Sequence, residues 1–154
     1  MPLTGTCLCA GVSFEVRGRL TPIQCCHATR CQKATGAAFA PEVAARAADF
    51  RWIRGEELVC VFEAPLLREP PAYRRAFCRV CGSPLPVVNP GLPFVLLLAG
   101  VLNEDPEVRP FRHVFVGSKA PWYEIRDELP KFLEHVPKDQ RLPTSTPAAG
   151  RESP

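Results

Sequence analysis

A chain of 154 residues is the length of one domain and long enough to bury its own core. With 46% hydrophobic and 23% charged residues and no apolar run that could span a bilayer, the composition fits a soluble globular protein and argues against a membrane partner. The net charge of +3 comes from basic residues scattered singly or in pairs such as Arg74 and Arg75, without the basic stripe of a nucleic-acid binder.

The N-terminal stretch MPLTGTCLCAG has no basic segment followed by an apolar one, so no export signal is expected and the expected location is cytoplasmic. The segment GVSFEV (11–16) alternates, Val12, Phe14 and Val16 against Ser13, Glu15 and Arg17, which predicts a half-buried strand. PEVAARAADF (41–50) admits either helix, from its alanines, or strand, from its length and neighbours. FRWI (50–53) and ELVCVFEA (57–64) read as strands separated by the turn-like RGE. Cys60, between apolar neighbours in the second of these, reads as a buried inert thiol.

PFVLLLAGVL (93–102) fits a central strand, although a buried helix has the same apolar content. FRHVFVG (111–117) alternates again, with Phe111, His113 and Phe115 on one face. IRDELPKFLEHV (125–136) has helical content broken by Pro130, leaving a turn or two at most. Proline, at 18 residues, is more than twice its usual share of about 5%, which favours short strands and turns over long helices. Residues 137–154 carry too little apolar surface to offset ordering and read as a flexible tail, so a single domain is expected over 1–136.

Eight cysteines in a chain without an export signal point to metal ligation rather than disulfides. Cys7 and Cys9 form a C-x-C, and residues two apart in an extended segment project to the same side. Cys78 and Cys81 form a C-x-x-C whose following Gly82 lets the backbone curl past with positive φ. Together they supply four thiolates, the closed set of a structural zinc with Zn–S distances of about 2.3 Å. Two unconnected pairs, or disulfides, are the alternatives.

A third group lies in CCHATRCQKATG (25–36). Taken in order with GTCLCAGVSFEV, FCRVCGSPL and HVFVGSKAPWYEIRDELPKF, it resembles the glutathione-dependent formaldehyde-activating enzyme family, to which centromere protein V is related. The resemblance runs from Gly5 to about Phe132. It implies a mainly β fold of tightly coiled sheets with short helical turns, sometimes called a β-tent, with Cys7, Cys9, Cys78 and Cys81 on the structural zinc. It also implies a second, catalytic zinc held by the three thiolates of a C-H-C-x-x-C motif, with one open position. The activity implied is carbon–sulfur chemistry: joining formaldehyde to the thiol of glutathione as S-hydroxymethylglutathione, or the reverse lyase direction.

On this motif Cys26, His27 and Cys31 match, and Ala28 falls where the middle cysteine belongs. An alanine has no lone pair, so the second site is one ligand short. Cys25 could turn inward, His27 could coordinate through its ring, or the substrate thiolate could supply the third ligand. Glutathione has two carboxylates, for which Arg30, Lys33 and Lys119 are the candidate cations, solvated surface charge being the bland alternative. His113 is the titratable group best placed outside the knuckle to line a substrate pocket, or else a satisfied core histidine. Trp122 and Tyr123 are expected to pack over the core edge, lining the pocket being the alternative, and Phe39 to be core rather than substrate wall. The reading favoured is an enzyme. The alternatives are a zinc-stabilised binding module that lost the chemistry, and a redox protein using Cys25, Cys26 and Cys31.

Overall fold

Eleven short strands and one seven-residue helix organise the residues that the structure, a computed structural model, describes: 1–68 and 71–140. β1 (Leu3–Thr6), β2 (Ser13–Val16) and β5 (Phe50–Arg54) form an antiparallel sheet in the order β1-β2-β5. Gly5 stands opposite Phe14 in this sheet, and a Cβ there would meet the ring's Cζ at 2.1 Å. The missing side chain is what lets the ring lie down over β1. Alternation in β2 holds for Val12, Phe14 and Val16, but Glu15 on the other face is also covered. Arg17 and Arg51 close over its carboxylate at 2.6 and 2.5 Å, holding its pKa below the ordinary 4.5, with Arg51 the stronger cause.

The second sheet has the order β11-β3-β4-β10-β9, comprising β3 (Ile23–Cys26), β4 (Ala40–Arg46), β9 (Val87–Val88), β10 (Phe94–Leu98) and β11 (Pro110–Val114). Every pairing is antiparallel except β3 with β11. The ambiguous segment 41–50 is strand as far as Arg46, then a 3-10 turn at Ala47–Asp49. Neighbours on both edges of β4 override the helical preference of its alanines. The apolar run 93–102 is likewise strand β10 followed by a 3-10 turn, Ala99–Val101. A third sheet joins β6 (Val59–Glu63), β7 (Arg74–Cys78) and β8 (Pro84–Leu85).

The second sheet is buried on both faces. Val43, Ala45 and Leu97 meet Phe14, Val16 and Leu20 on one side, while Ala40, Cys26 and Val114 meet Cys31 and Val136 on the other. Each fully buried Val, Leu or Phe contributes about 1.5–3 kcal/mol relative to exposure. A smaller cluster of Cys7, Val12, Ala76, Cys78 and Leu85 joins the first sheet to the third.

Several expectations change. The one α-helix among the described residues is α1 (Thr29–Thr35), inside the cysteine knuckle, where the sequence pattern predicts none. Residues 125–136 form no helix; they run beside β11, with Pro130 and Phe132 exchanging backbone hydrogen bonds with His113. Cys60 is partly exposed, because β6 pairs only with β7 and leaves Val61 and Phe62 in solvent. Trp122 does not pack at the core: it is 72% exposed. Of the segment read as a tail, Lys138–Gln140 form a 3-10 turn, and 141–154 lie outside the described residues. Among the described residues no helix is long and apolar enough to cross a membrane.

Candidate metal centres

The turn after β1 carries Cys7 and Cys9; the turn after β7 carries Cys78 at the strand end and Cys81. Gly82, at φ +73°, closes the second turn, its N–H donating to the Cys78 carbonyl at 2.7 Å. The Leu8 N–H donates to Ser83 Oγ at 2.9 Å and ties the two turns together. All four sulfurs lie within 4.8 Å of one another, with Cys7 and Cys9 at 3.5 Å and Cys9 and Cys78 at 3.9 Å. This group is placed to hold a metal ion.

Its protonation is uneven. Hydrogen bonding with the Ser83 side chain, then with its backbone, holds the Cys81 thiol down at about 5. At Cys9 the Gly11 backbone pulls down, but the hydrogen bond with Cys7 and burial together push it up to about 11. Four thiols crowded together cannot all ionise without a cation between them.

A second group combines Cys26, Cys31 and Glu42, again with ligand atoms within 4.8 Å of one another. Sheet register builds it. Gln24 pairs with Glu42 and Cys26 with Ala40, so Cys26 and Glu42 project from the same face of neighbouring strands. Helix α1, starting beyond Ala28, presents Cys31 on its buried side. Cys31 Sγ donates to Cys26 Sγ at 3.2 Å and approaches Glu42 Oε1 at 3.6 Å. The hydrogen bond with Cys26, then burial, raise the Cys31 thiol well above its ordinary range. Burial likewise raises the Glu42 carboxyl above 4.5, against hydrogen bonds from Gln24 and Cys31.

Cys25 is not in this group. Strand alternation turns it to the opposite face, level with His113 on β11, and burial pushes its thiol up to about 11. His27 is outside the group as well. Its Nε2 lies 2.8 Å from His113 Nδ1, and His113 Nε2 donates to Asp127 Oδ2 at 3.0 Å. His27 and His113 are 0% and 2% exposed, whereas the Asp127 side chain is 46% exposed, so the row runs from the interior to solvent. Burial, then repulsion from His113, lower the His27 pKa to about 4, so its ring is neutral at pH 7. Its buried Nδ1 has no hydrogen-bond partner among the described residues, and the Ala38 backbone opposes the lowering of the pKa.

The sequence matches the family described as glutathione-dependent formaldehyde-activating enzyme over residues 2–118. The chain belongs to this family. A Halomonas elongata protein, provisionally named a glutathione-dependent formaldehyde-activating enzyme, is 29% identical over 128 residues, 81% of this chain and 82% of its own length. A solved Rhodobacter sphaeroides protein shares 25% identity across 69% of this chain and 97% of its own, with a TM-score of 0.48.

In this member of the glutathione-dependent formaldehyde-activating enzyme family the candidate cations are differently engaged. Arg30 donates to the Pro65 carbonyl at 2.7 Å and lies over the Tyr73 ring, while Lys33 is exposed on α1. Lys119 donates to the carbonyls of Ala120 and Tyr123. Tyr123 and Phe39, both partly exposed, flank the His27 ring at 6.1 and 5.3 Å. A cavity of about 40 Å³ beside Glu42 and Tyr73 is room for a few water-sized molecules and far too small for a tripeptide. No sequence motif singles out Glu42. Its only signal was a carboxylate in the otherwise small and apolar run FAPEVAA (39–45), and nothing in the order of residues tells that it faces Cys26.

Proposed function

We propose that this chain is a zinc-dependent carbon–sulfur lyase that forms or splits the adduct of glutathione with formaldehyde, working in the cytoplasm. The observation that carries the reading is the convergence of Cys26 and Cys31, sulfurs 3.2 Å apart and buried, on the matching motif of a family with that name. The donor sets fit zinc. Cys7, Cys9, Cys78 and Cys81 offer four soft ligands and no open position, the pattern of a structural site, whereas Cys26 and Cys31 belong to an incomplete set of the catalytic kind.

In the forward direction the thiol sulfur bonds to the carbonyl carbon, and the thiol proton ends on the carbonyl oxygen. Zinc in the second site would supply Lewis acidity, favouring a thiolate over a thiol at neutral pH. The protein's own part is to exclude water. Cys26 and Cys31 are almost fully buried, and the small cavity lined by Glu42, the third member of their group, has room for a one-carbon aldehyde. The row of His27, His113 and Asp127 lies on the face of β3 away from Cys26 and Cys31, so its part is to hold the knuckle in place behind them. Lys33 is the candidate cation free to meet a glutathione carboxylate; Arg30 and Lys119 would have to give up backbone carbonyls to do so.

The test is exchange of isotope-labelled formaldehyde between its free form and the glutathione adduct, followed by NMR with and without the protein. Acceleration that disappears in Cys31→Ala supports the reading. Exchange at the uncatalysed rate by the zinc-loaded wild type would move the protein to a binding role.

A further inference from the structure

We infer that Glu42 is the third protein ligand of the second metal centre, replacing the sulfur that Ala28 lacks, so that the centre is a two-thiolate, one-carboxylate site with one open position. This rests on the reading of Cys26 and Cys31 as ligands of a second metal. Three observations carry it.

The first is placement. Pairing of Gln24 with Glu42 and Cys26 with Ala40 puts the carboxylate on the Cys26 face, and Oε1 points at Cys31 from 3.6 Å. The other side chains that could have served are turned away or occupied: Cys25 by alternation, His27 by its bond to His113. The second is orientation. Gln24 Nε2 donates to Glu42 Oε2 at 3.1 Å, and Arg112 Nε donates to Gln24 Oε1 at 2.8 Å. One carboxylate oxygen is thus fixed by a partner that is itself fixed, and the other is left for the cysteines. Metal-binding carboxylates are held in this way by the residues behind them.

The third is charge. Two thiolates and a carboxylate carry the same formal charge as three thiolates, so a divalent cation meets the same electrostatic sink that the family motif provides. A carboxylate among buried cysteines without a cation is costly, and a metal ion removes that cost. Zinc accepts carboxylate oxygen at about 2.0–2.2 Å, close to its reach for sulfur. Oxygen donates less charge than sulfur, so the ion would be the stronger Lewis acid and less selective for soft metals than a three-thiolate centre.

Metal per chain is measured on zinc-saturated, dialysed wild type, on Glu42→Gln and on the double variant Ala28→Cys with Glu42→Gln, with thermal unfolding confirming that each is folded. Glutamine keeps the shape of the side chain, so loss of fold is not expected. The result expected is about two ions in the wild type, about one in Glu42→Gln, and about two again in the double variant, where the added sulfur restores a third thiolate. Cobalt-loaded samples give a second readout: the restored site should show stronger sulfur-to-metal absorption than the wild type. Two ions retained in Glu42→Gln would overturn the carboxylate ligand while leaving the enzyme reading intact. One ion in the wild type would overturn it too, and formaldehyde exchange on the same sample would then show separately whether the function survives. Two ions in the wild type without exchange would sink the function and leave Glu42 as ligand.

Discussion

The two cysteine centres are assembled in opposite ways. The Cys7, Cys9, Cys78 and Cys81 centre draws on turns 69 residues apart, between Cys9 and Cys78, and closes the first sheet onto the third. The centre at Cys26 and Cys31 is local, its sulfurs five residues apart and Glu42 eleven beyond Cys31. The first has four like ligands and reaches the surface at Cys9; the second has mixed ligands, lies buried and neighbours a row of titratable side chains. A long-range closed site adds most to stability, because it constrains the widest loop. A local site can lose its metal without disconnecting the fold, so it is the one free to change ligands during chemistry.

The largest effect expected from this contrast is in Cys78→Ser. It should lose the first metal and on the order of 5 kcal/mol or more of stability, comparable to the whole margin of a small domain. Urea unfolding with metal analysis checks this. Cys31→Ala should behave in the reverse manner: at least ~100-fold slower formaldehyde exchange, yet a stability loss below about 2 kcal/mol. Equal destabilisation by both substitutions would erase the distinction.

His113→Ala sharpens the comparison by removing the middle of the histidine row. It strands His27 and opens a gap, costing about 2–4 kcal/mol by thermal unfolding, while both metals stay bound. Gln24→Ala should weaken only the second metal, by about 10–100-fold, read by competition with a chelating dye. The smallest effect is on pH. The folded-state pKa of Glu15 is below its unfolded value, so its stabilising effect is fully present above about 4.5 and fades as pH falls through the lowered pKa. Glu15→Gln should therefore flatten the acid limb of urea midpoint against pH without changing metal content.

How much of this was visible in the residues follows the same division. The first centre was legible because a C-x-C and a C-x-x-C-G state their geometry locally, whatever the distance between them. Five of the eleven strands, β2, β5, β6, β10 and β11, were legible through alternation or apolar runs. The helix α1 was not, since TRCQKAT is only seven residues long and has no side-chain cap at Ala28 to announce it. The segment beginning at Pro41 was ambiguous because alanine suits a helix, and only the strands on either side of β4 decide. Glu42 was invisible for the same reason. A one-residue slip between β3 and β4 would send it to the opposite face, so its position beside Cys26 belongs to the register, which no single segment encodes.

The most direct test is a stepwise chelator titration of the zinc-loaded protein, following released zinc and circular dichroism in the same sample. Two steps are expected: about one zinc leaves first with the β spectrum unchanged and formaldehyde exchange lost, and a second leaves only as the fold collapses. Release of all zinc in one step together with unfolding, or unfolding on loss of the first ion, would contradict the assignment of a stabilising centre and a separate working one.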